Sequence, residues 1–217
     1  MTLFTRSWEA LRSVVDMLDG GQWVQPSGCV GWRVQDLVFH LIIDAQDVLI
    51  TLASTTDAEA TVDAVGYWDL GEPTTGDEPE SVFVRRSALA YRDYGGLRHH
   101  FTDLAVAAAR AAAAADLQRR VETRDRVLTV ADYLDSYVVE WTLHHLDLVA
   151  HLPDLPGPPA EALAETRRVL ETLGRAPIPD TLDDRDAALV VTGRRAPATA
   201  ETAALGALAD RLPLVLA

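Results

Sequence analysis

The sequence predicts a mainly α fold, an antiparallel four-helix bundle with a small C-terminal α/β extension. Three observations predict it. Apolar residues recur at three and four residues through four long stretches, which is the period of a helix with one buried face. The segment PDLPGPP, residues 153–159, interrupts that pattern and should end the bundle. After it comes a strand, helix, strand succession, the mark of a small α/β unit. The chain therefore divides into residues 1–152 and 153–217.

The first helix spans residues 3–18, where Phe4, Trp8, Leu11, Val15 and Leu18 share a face. Gly20 and Gly21 end it. Residues 22–30 form a loop containing Pro26 and Gly28, and the second helix covers 31–53 with Val34, Val38, Leu41, Ala45 and Val48 as its apolar face. His40 sits on the border of that face, one turn after Asp36 and one before Asp44. Trp32 reads as an anchor near the helix start. Residues 54–80 are the least regular part, a long connection of the kind that is functional or mobile. Within it Tyr67 and Trp68 either line a pocket mouth or pin the loop to the bundle.

The third helical region, 81–115, carries an alanine-rich run and a potential break at Gly95 and Gly96. His99 and His100 read as surface or core-edge residues there, and Arg85 and Arg86 as a solvated basic pair. Residues 117–128 are polar and charged. Thr129 then caps the fourth helix, residues 129–152, with Leu134, Val138, Trp141 and Leu148 on its apolar side. Residues 160–174 make a fifth helix ending in glycine. Residues 187–192, AALVVT, read as a strand, 199–210 as a short helix and 212–216 as a second strand. Arg194 and Arg195 follow the first strand and could bind a carboxylate, since the arginine fork matches that group.

The polar residues of the fourth helix hold the chemical interest. Glu140, His144, Asp147 and His151 fall at i, i+4, i+7 and i+11 and form one longitudinal stripe. Glu140 and His144, one turn apart, can reach one cation together. If the second and fourth helices are neighbours, His40 supplies a third donor. Two nitrogens and a carboxylate are the set found in catalytic zinc sites that keep a position open. Asp36 or Asp44 could then fix the tautomer of His40. The bland reading is an i, i+4 polar contact on a solvated face, and spacing alone leaves both standing.

The segment GWRVQDLVFHL resembles the G-W-T-V-R-D-L-x-x-H-L signature of the DinB-like superfamily, in its actinobacterial branch of mycothiol-dependent maleylpyruvate isomerase-like proteins. VVEWTLHHLDLVAHL resembles the second signature of that branch, a Glu with a His four residues on and an Asp three further. The resemblance implies a DinB-like four-helix bundle in which His40, Glu140 and His144 bind a divalent metal, usually zinc, with Asp147 in the family's Asp position. It also implies mycothiol as the thiol cofactor, a small-molecule electrophile as substrate, and an isomerase or S-transferase outcome. Two features depart from the family. Arg33 stands where Thr often caps the helix, and the tail after the bundle is shorter than in the isomerase.

Composition narrows the classes. The chain has 217 residues, 48% of them hydrophobic, enough for one core of ordinary size. Its net charge of −14, with all 19 basic residues arginine, repels phosphate backbones and argues against nucleic acid as a partner. No apolar run reaches the length of a membrane span, and the single cysteine, Cys29, fits a reducing cytoplasm and reads as an inert thiol. A monomer or homodimer is expected. From another functional class, a noncatalytic metal-binding or ligand-binding bundle associated with stress remains open, as does a helical interaction module without metal.

Overall fold

The computed structural model describes residues 1–217. Eight helices dominate it: α1 (Leu3–Met17), α2 (Val34–Ala53), α3 (Pro79–Ala88), α4 (Tyr94–Ala114), α5 (Val130–Val149), α6 (Ala160–Gly174), α7 (Asp184–Val191) and α8 (Thr199–Leu205). Five short strands accompany them: β1 (Thr55–Thr56), β2 (Leu70–Gly71), β3 (Arg120–Thr123), β4 (Arg126–Thr129) and β5 (Val215–Leu216). The protein is thus a mainly α bundle, built from α1, α2, α4 and α5, in which α2 packs chiefly on α4 and α1 on α5. None of the helices is long and apolar enough to cross a membrane.

The helix starts follow the polar residues that satisfy their free N–H groups. Thr2 accepts from Thr5 N, Asp93 from Gly96 N and Thr129 from Asp132 N. At α2 Arg33 cannot cap with its own side chain, but Asp36 reaches back to accept from Arg33 N at 2.9 Å, half of a capping box. The predicted break in the third helical region falls at 89–93 rather than at the glycines, because Asp93 starts α4 and puts Gly95 and Gly96 in its first turn.

An aromatic stack joins α1, α4 and α5. The rings of Trp8 and Trp141 stack with centroids 3.7 Å apart, Phe4 lies 4.8 Å from Trp141, and Phe101 meets Trp8 edge-on at 5.4 Å. Trp8 Nε1 donates to Ala105 O at 2.8 Å, so its polar atom is satisfied deep in the core. On the other seam, His40 meets His144 while Asp47, two turns further along α2, accepts from Tyr137 and Tyr133, two and three turns earlier in α5. Partners run in opposite directions, so these two helices are antiparallel.

The structure departs from the sequence reading at three places. The charged stretch 117–128 contains the β3–β4 hairpin, whose buried Val121 and Leu128 sit opposite each other in register while Arg120 and Glu122 occupy the other face. Its turn residues Arg124 and Asp125 both have positive φ, 49° and 57°, as a two-residue hairpin turn requires. The predicted strand at 187–192 is helix α7. Asp183 accepts from Asp186 N at 2.7 Å, Asp184 and Asp186 favour the positive end of the helix, and Ala187, Val190 and Val191 bury one helical face. Local capping overrides the strand preference of the valines. Only Val215–Leu216 of the last predicted strand forms, paired with Leu70–Gly71, so the tail docks on the long connection instead of forming its own sheet. A second apolar cluster, including Leu170, Ile178, Leu182, Val191, Leu208 and Leu214, lies beneath it.

His145, next to the polar stripe but on another face of α5, is 1% exposed and donates from Nε2 to Pro156 O at 3.0 Å. Burial drives its pKa down to about 4. Between pH 6.5 and 4 the unfolded chain therefore takes up a proton that the folded state refuses. Stability falls as pH drops through that window, by about 1.4 kcal/mol per unit. Urea unfolding of His145→Gln should show a flatter decline than wild type over this range, and an unchanged slope would remove His145 as the cause. Trp8→Ala should cost about 3–5 kcal/mol by the same measurement, because it empties the centre of the aromatic stack.

Candidate metal centre

Position on the α2–α5 seam brings His40, Glu140 and His144 together. His40 Nε2 lies 3.1 Å from His144 Nε2, which in turn lies 3.1 Å from Glu140 Oε1. His40 Nε2 is 3.8 Å from Glu140 Oε1 and 3.6 Å from Asp44 Oδ1. Donor atoms of these four residues all fall within 4.8 Å of one another. An ion with bonds of about 2.1 Å has neighbouring donors roughly 3.0–3.4 Å apart, so the group has the size to hold a divalent metal. Nitrogen lone pairs and carboxylate oxygens converging on one point repel unless a cation or protons intervene.

Asp147 fixes one imidazole. His144 Nδ1 donates to Asp147 Oδ2 at 3.3 Å, which leaves Nε2 as the lone-pair nitrogen facing the cluster. Asp147 is 1% exposed, and the fork of Arg194 closes on it, Nε to Oδ1 at 2.9 Å and the terminal nitrogen to Oδ2 at 2.8 Å. Burial opposes the Asp147 charge, but Arg194 and His144 hold its carboxyl well below the usual range. Burial likewise opposes the charges on Glu140 and His144, and their mutual attraction outweighs it: the Glu140 carboxyl is held low and the His144 imidazolium is favoured, so the cluster-facing Nε2 offers its lone pair only when a cation takes the place of that proton. Backbone geometry supports this edge of the site. Gly28 N donates to Asp147 O at 2.8 Å, and a Cβ on Gly28 would lie 2.5 Å from Asp147 Oδ1, so only glycine lets the 25–33 loop approach α5 so closely.

The cluster lines a cavity of about 750 Å³ whose other walls include Cys29, Trp32, Tyr67, Trp68, Arg124 and Tyr137. Tyr67 and Trp68 are buried, so they both pin the long connection and line the cavity. Trp32 packs its ring 5.2 Å from that of His40. The tail contributes Thr192, Gly193, Arg194 and Val215 to Ala217.

Several expectations change. Asp36 does not orient His40, because its carboxylate is engaged at the start of α2 and His40 Nδ1 has no partner. Arg194 reaches the cavity, but its fork is closed on Asp147 rather than free for a ligand's carboxylate. Arg195 points elsewhere, held by Glu201 at 2.8 Å and Asp186 at 3.1 Å. His151 lies past the end of α5 and is exposed, outside the site. Cys29 was missed as a site neighbour. It donates to Asp147 Oδ2 at 3.4 Å and lies 3.8 Å from His144 Nδ1, while burial pushes its thiol pKa up. Nothing periodic in a loop marks such a residue, nor Arg124 at the hairpin tip. Asp44 carried a signal, one turn from His40 on the same stripe.

Residues 4–149 match the mycothiol maleylpyruvate isomerase N-terminal domain, and the chain belongs to that family. No curated protein and no solved structure matches the chain.

The Arg194–Asp147 pair predicts a measurable coupling. Arg194→Gln should destabilise the protein by about 3 kcal/mol, because it strands a buried carboxylate. Adding Asp147→Asn should recover part of that loss in a double-mutant cycle of urea unfolding. Additive losses would mean that the pair is not coupled.

Proposed function

We propose that this chain, as a member of that family, is a metal-dependent enzyme. It activates a low-molecular-weight thiol, mycothiol, for addition to an electrophilic small molecule, with isomerisation or S-transfer as the outcome. The observation that carries the reading is the convergence of His40, Glu140 and His144 from two helices onto one point in the wall of a cavity. Zinc suits this mixture of imidazole and carboxylate. A divalent ion held there draws a bound thiol toward its thiolate near neutral pH.

The chain's own residues do the rest. Asp147 holds the His144 ring so that Nε2 faces the cluster, and Arg194 holds Asp147. Trp32 and Trp68 give the neighbouring wall an apolar surface. Arg124, whose guanidinium lies 5.7 Å over the Tyr67 ring, lines the cavity without a carboxylate partner and offers positive charge to an anionic ligand. The Cys29 thiol is held in its protonated form by burial, which leaves the nucleophile to be supplied from outside the chain.

Purified protein should carry about one divalent ion per chain by elemental mass spectrometry. It should also turn over a generic electrophile only in the presence of mycothiol. His40→Ala should lose metal and turnover together while keeping its helical circular dichroism. Metal without thiol-dependent turnover across a broad electrophile panel would favour the noncatalytic metal-binding bundle. If metal content and stability were unchanged in His40→Ala, a helical module without a metal role would remain.

A further inference from the structure

We infer that Asp44 is itself a ligand of the proposed metal ion, so that the site is a two-histidine, two-carboxylate set rather than the three-residue set read from the motifs. The inference rests on the metal-binding part of the proposed function and concerns the first coordination sphere.

Two independent observations carry it. The first is which nitrogen Asp44 faces. A carboxylate that only orients a ligating histidine meets the ring nitrogen remote from the ion, as Asp147 does at His144 Nδ1. Asp44 does the opposite. Its Oδ1 lies 3.6 Å from His40 Nε2, the nitrogen that also faces His144 Nε2 and Glu140 Oε1, while His40 Nδ1 has no partner at all. Asp44 therefore stands on the side of the ring where the ion would sit.

The second observation is an unmet electrostatic demand. Asp44 is 6% exposed, and its Oδ2 is buried without any hydrogen-bond partner. No arginine pairs with it. The titratable groups that act on it include His40 and Asp47 on its own helix, Glu140, His144 and Tyr137 from α5, and Tyr67. Asp47 and Glu140 are carboxylates that repel it, and the imidazoles present the same nitrogens that converge on the cluster centre. A buried carboxylate in such surroundings is stabilised by a cation at that centre. Asp47 supplies the contrast. It lies within one turn of Asp44 but has two tyrosine hydroxyls donating to it, at 2.7 and 3.0 Å, and needs no ion.

A fourth ligand changes the chemistry in a defined direction. Two carboxylates cancel the charge of a divalent ion bound by neutral imidazoles, whereas one leaves a net positive charge. The additional oxygen donor suits ions that accept five or six ligands, manganese or iron among them, which would leave room for an external donor beside the four residues.

The test uses the full chain stripped of metal and reloaded with zinc, manganese or cobalt(II) separately. Asp44→Asn should lower zinc affinity by about 10- to 100-fold in a chelator competition. It should also convert the weak visible bands of five- or six-coordinate cobalt toward the intense bands of a four-coordinate ion. Asp47→Asn is the control and should leave both readouts at wild type. Because Asp44→Asn removes a stranded charge, its metal-free form should melt no lower than metal-free wild type, so weaker binding cannot be assigned to misfolding. An Asp44→Asn protein with zinc affinity within about twofold of wild type and an unchanged cobalt spectrum overturns the inference and leaves the three-residue site standing. A wild-type chain that takes up none of the three ions overturns both.

Discussion

Charge buried across the α2–α5 seam is the constraint on which the rest of this structure depends. Asp44, Glu140 and Asp147 come from two helices and lie within a turn or two of His40 and His144, with little water to screen them. Only one of the three carboxylates has a guanidinium, the one from Arg194. A seam of this kind cannot be closed by packing apolar side chains. It holds because the two ends are balanced by different means, an arginine fork at Asp147 and the convergent donor cluster one turn earlier. The tail and the 25–33 loop both reach this region, through Arg194 and through Gly28, so segments far apart in sequence are tied to one short stretch of α5.

The opposite side of α5 explains why such a site can be carried at all. Trp141, one residue after Glu140, is inserted between Phe4, Trp8 and Tyr137 and is 1% exposed. Full burial of large rings on that side fixes the rotation of the helix, and with it the direction in which Glu140 and His144 point. On α2 the same work is divided among Leu37, Leu41 and Val48, all fully buried, leaving His40 on the border of the packed face. Imidazoles and a carboxylate are held at 3–4 Å because the apolar faces leave the helices no other register.

Much of this was legible in the sequence where a period exists to be read. The four long helices follow from apolar recurrence, and the polar stripe of α5 placed Glu140, His144 and Asp147 on one edge before any partner was known. His40 was legible for the same reason, as a border residue of α2. What could not be read depends on contacts without a period. The hairpin within 117–128 was hidden because its outer face is charged and only Val121 and Leu128 are fully buried. Residues 187–192 misled because β-branched valines favour strands, while the Asp183 cap and its acidic first turn decided for a helix. Asp36 lies at the right spacing from His40, yet the free N–H of Arg33 claimed it first. Arg194 and Asp147 are 47 residues apart and no local pattern joins them.

His144 is shared by two groups that have the residue types of a metal site: the one with His40, Asp44 and Glu140, and another with Cys29 and Asp147. One imidazole cannot face an ion on both sides, since the nitrogen that donates a proton has no lone pair to give. The fork of Arg194 decides between them. Both oxygens of Asp147 already accept from it, so an ion at the Cys29 side would compete with a guanidinium for every carboxylate oxygen there. At the other side one Asp44 oxygen has no partner, and no arginine intervenes. Asp147 also keeps the proton on Nδ1, which turns the lone pair of His144 toward His40. An arginine contributed by the tail therefore selects, through one carboxylate, which face of a bundle histidine is available to a cation. In this way the segment after the bundle acts on the proposed centre without contributing a donor to it.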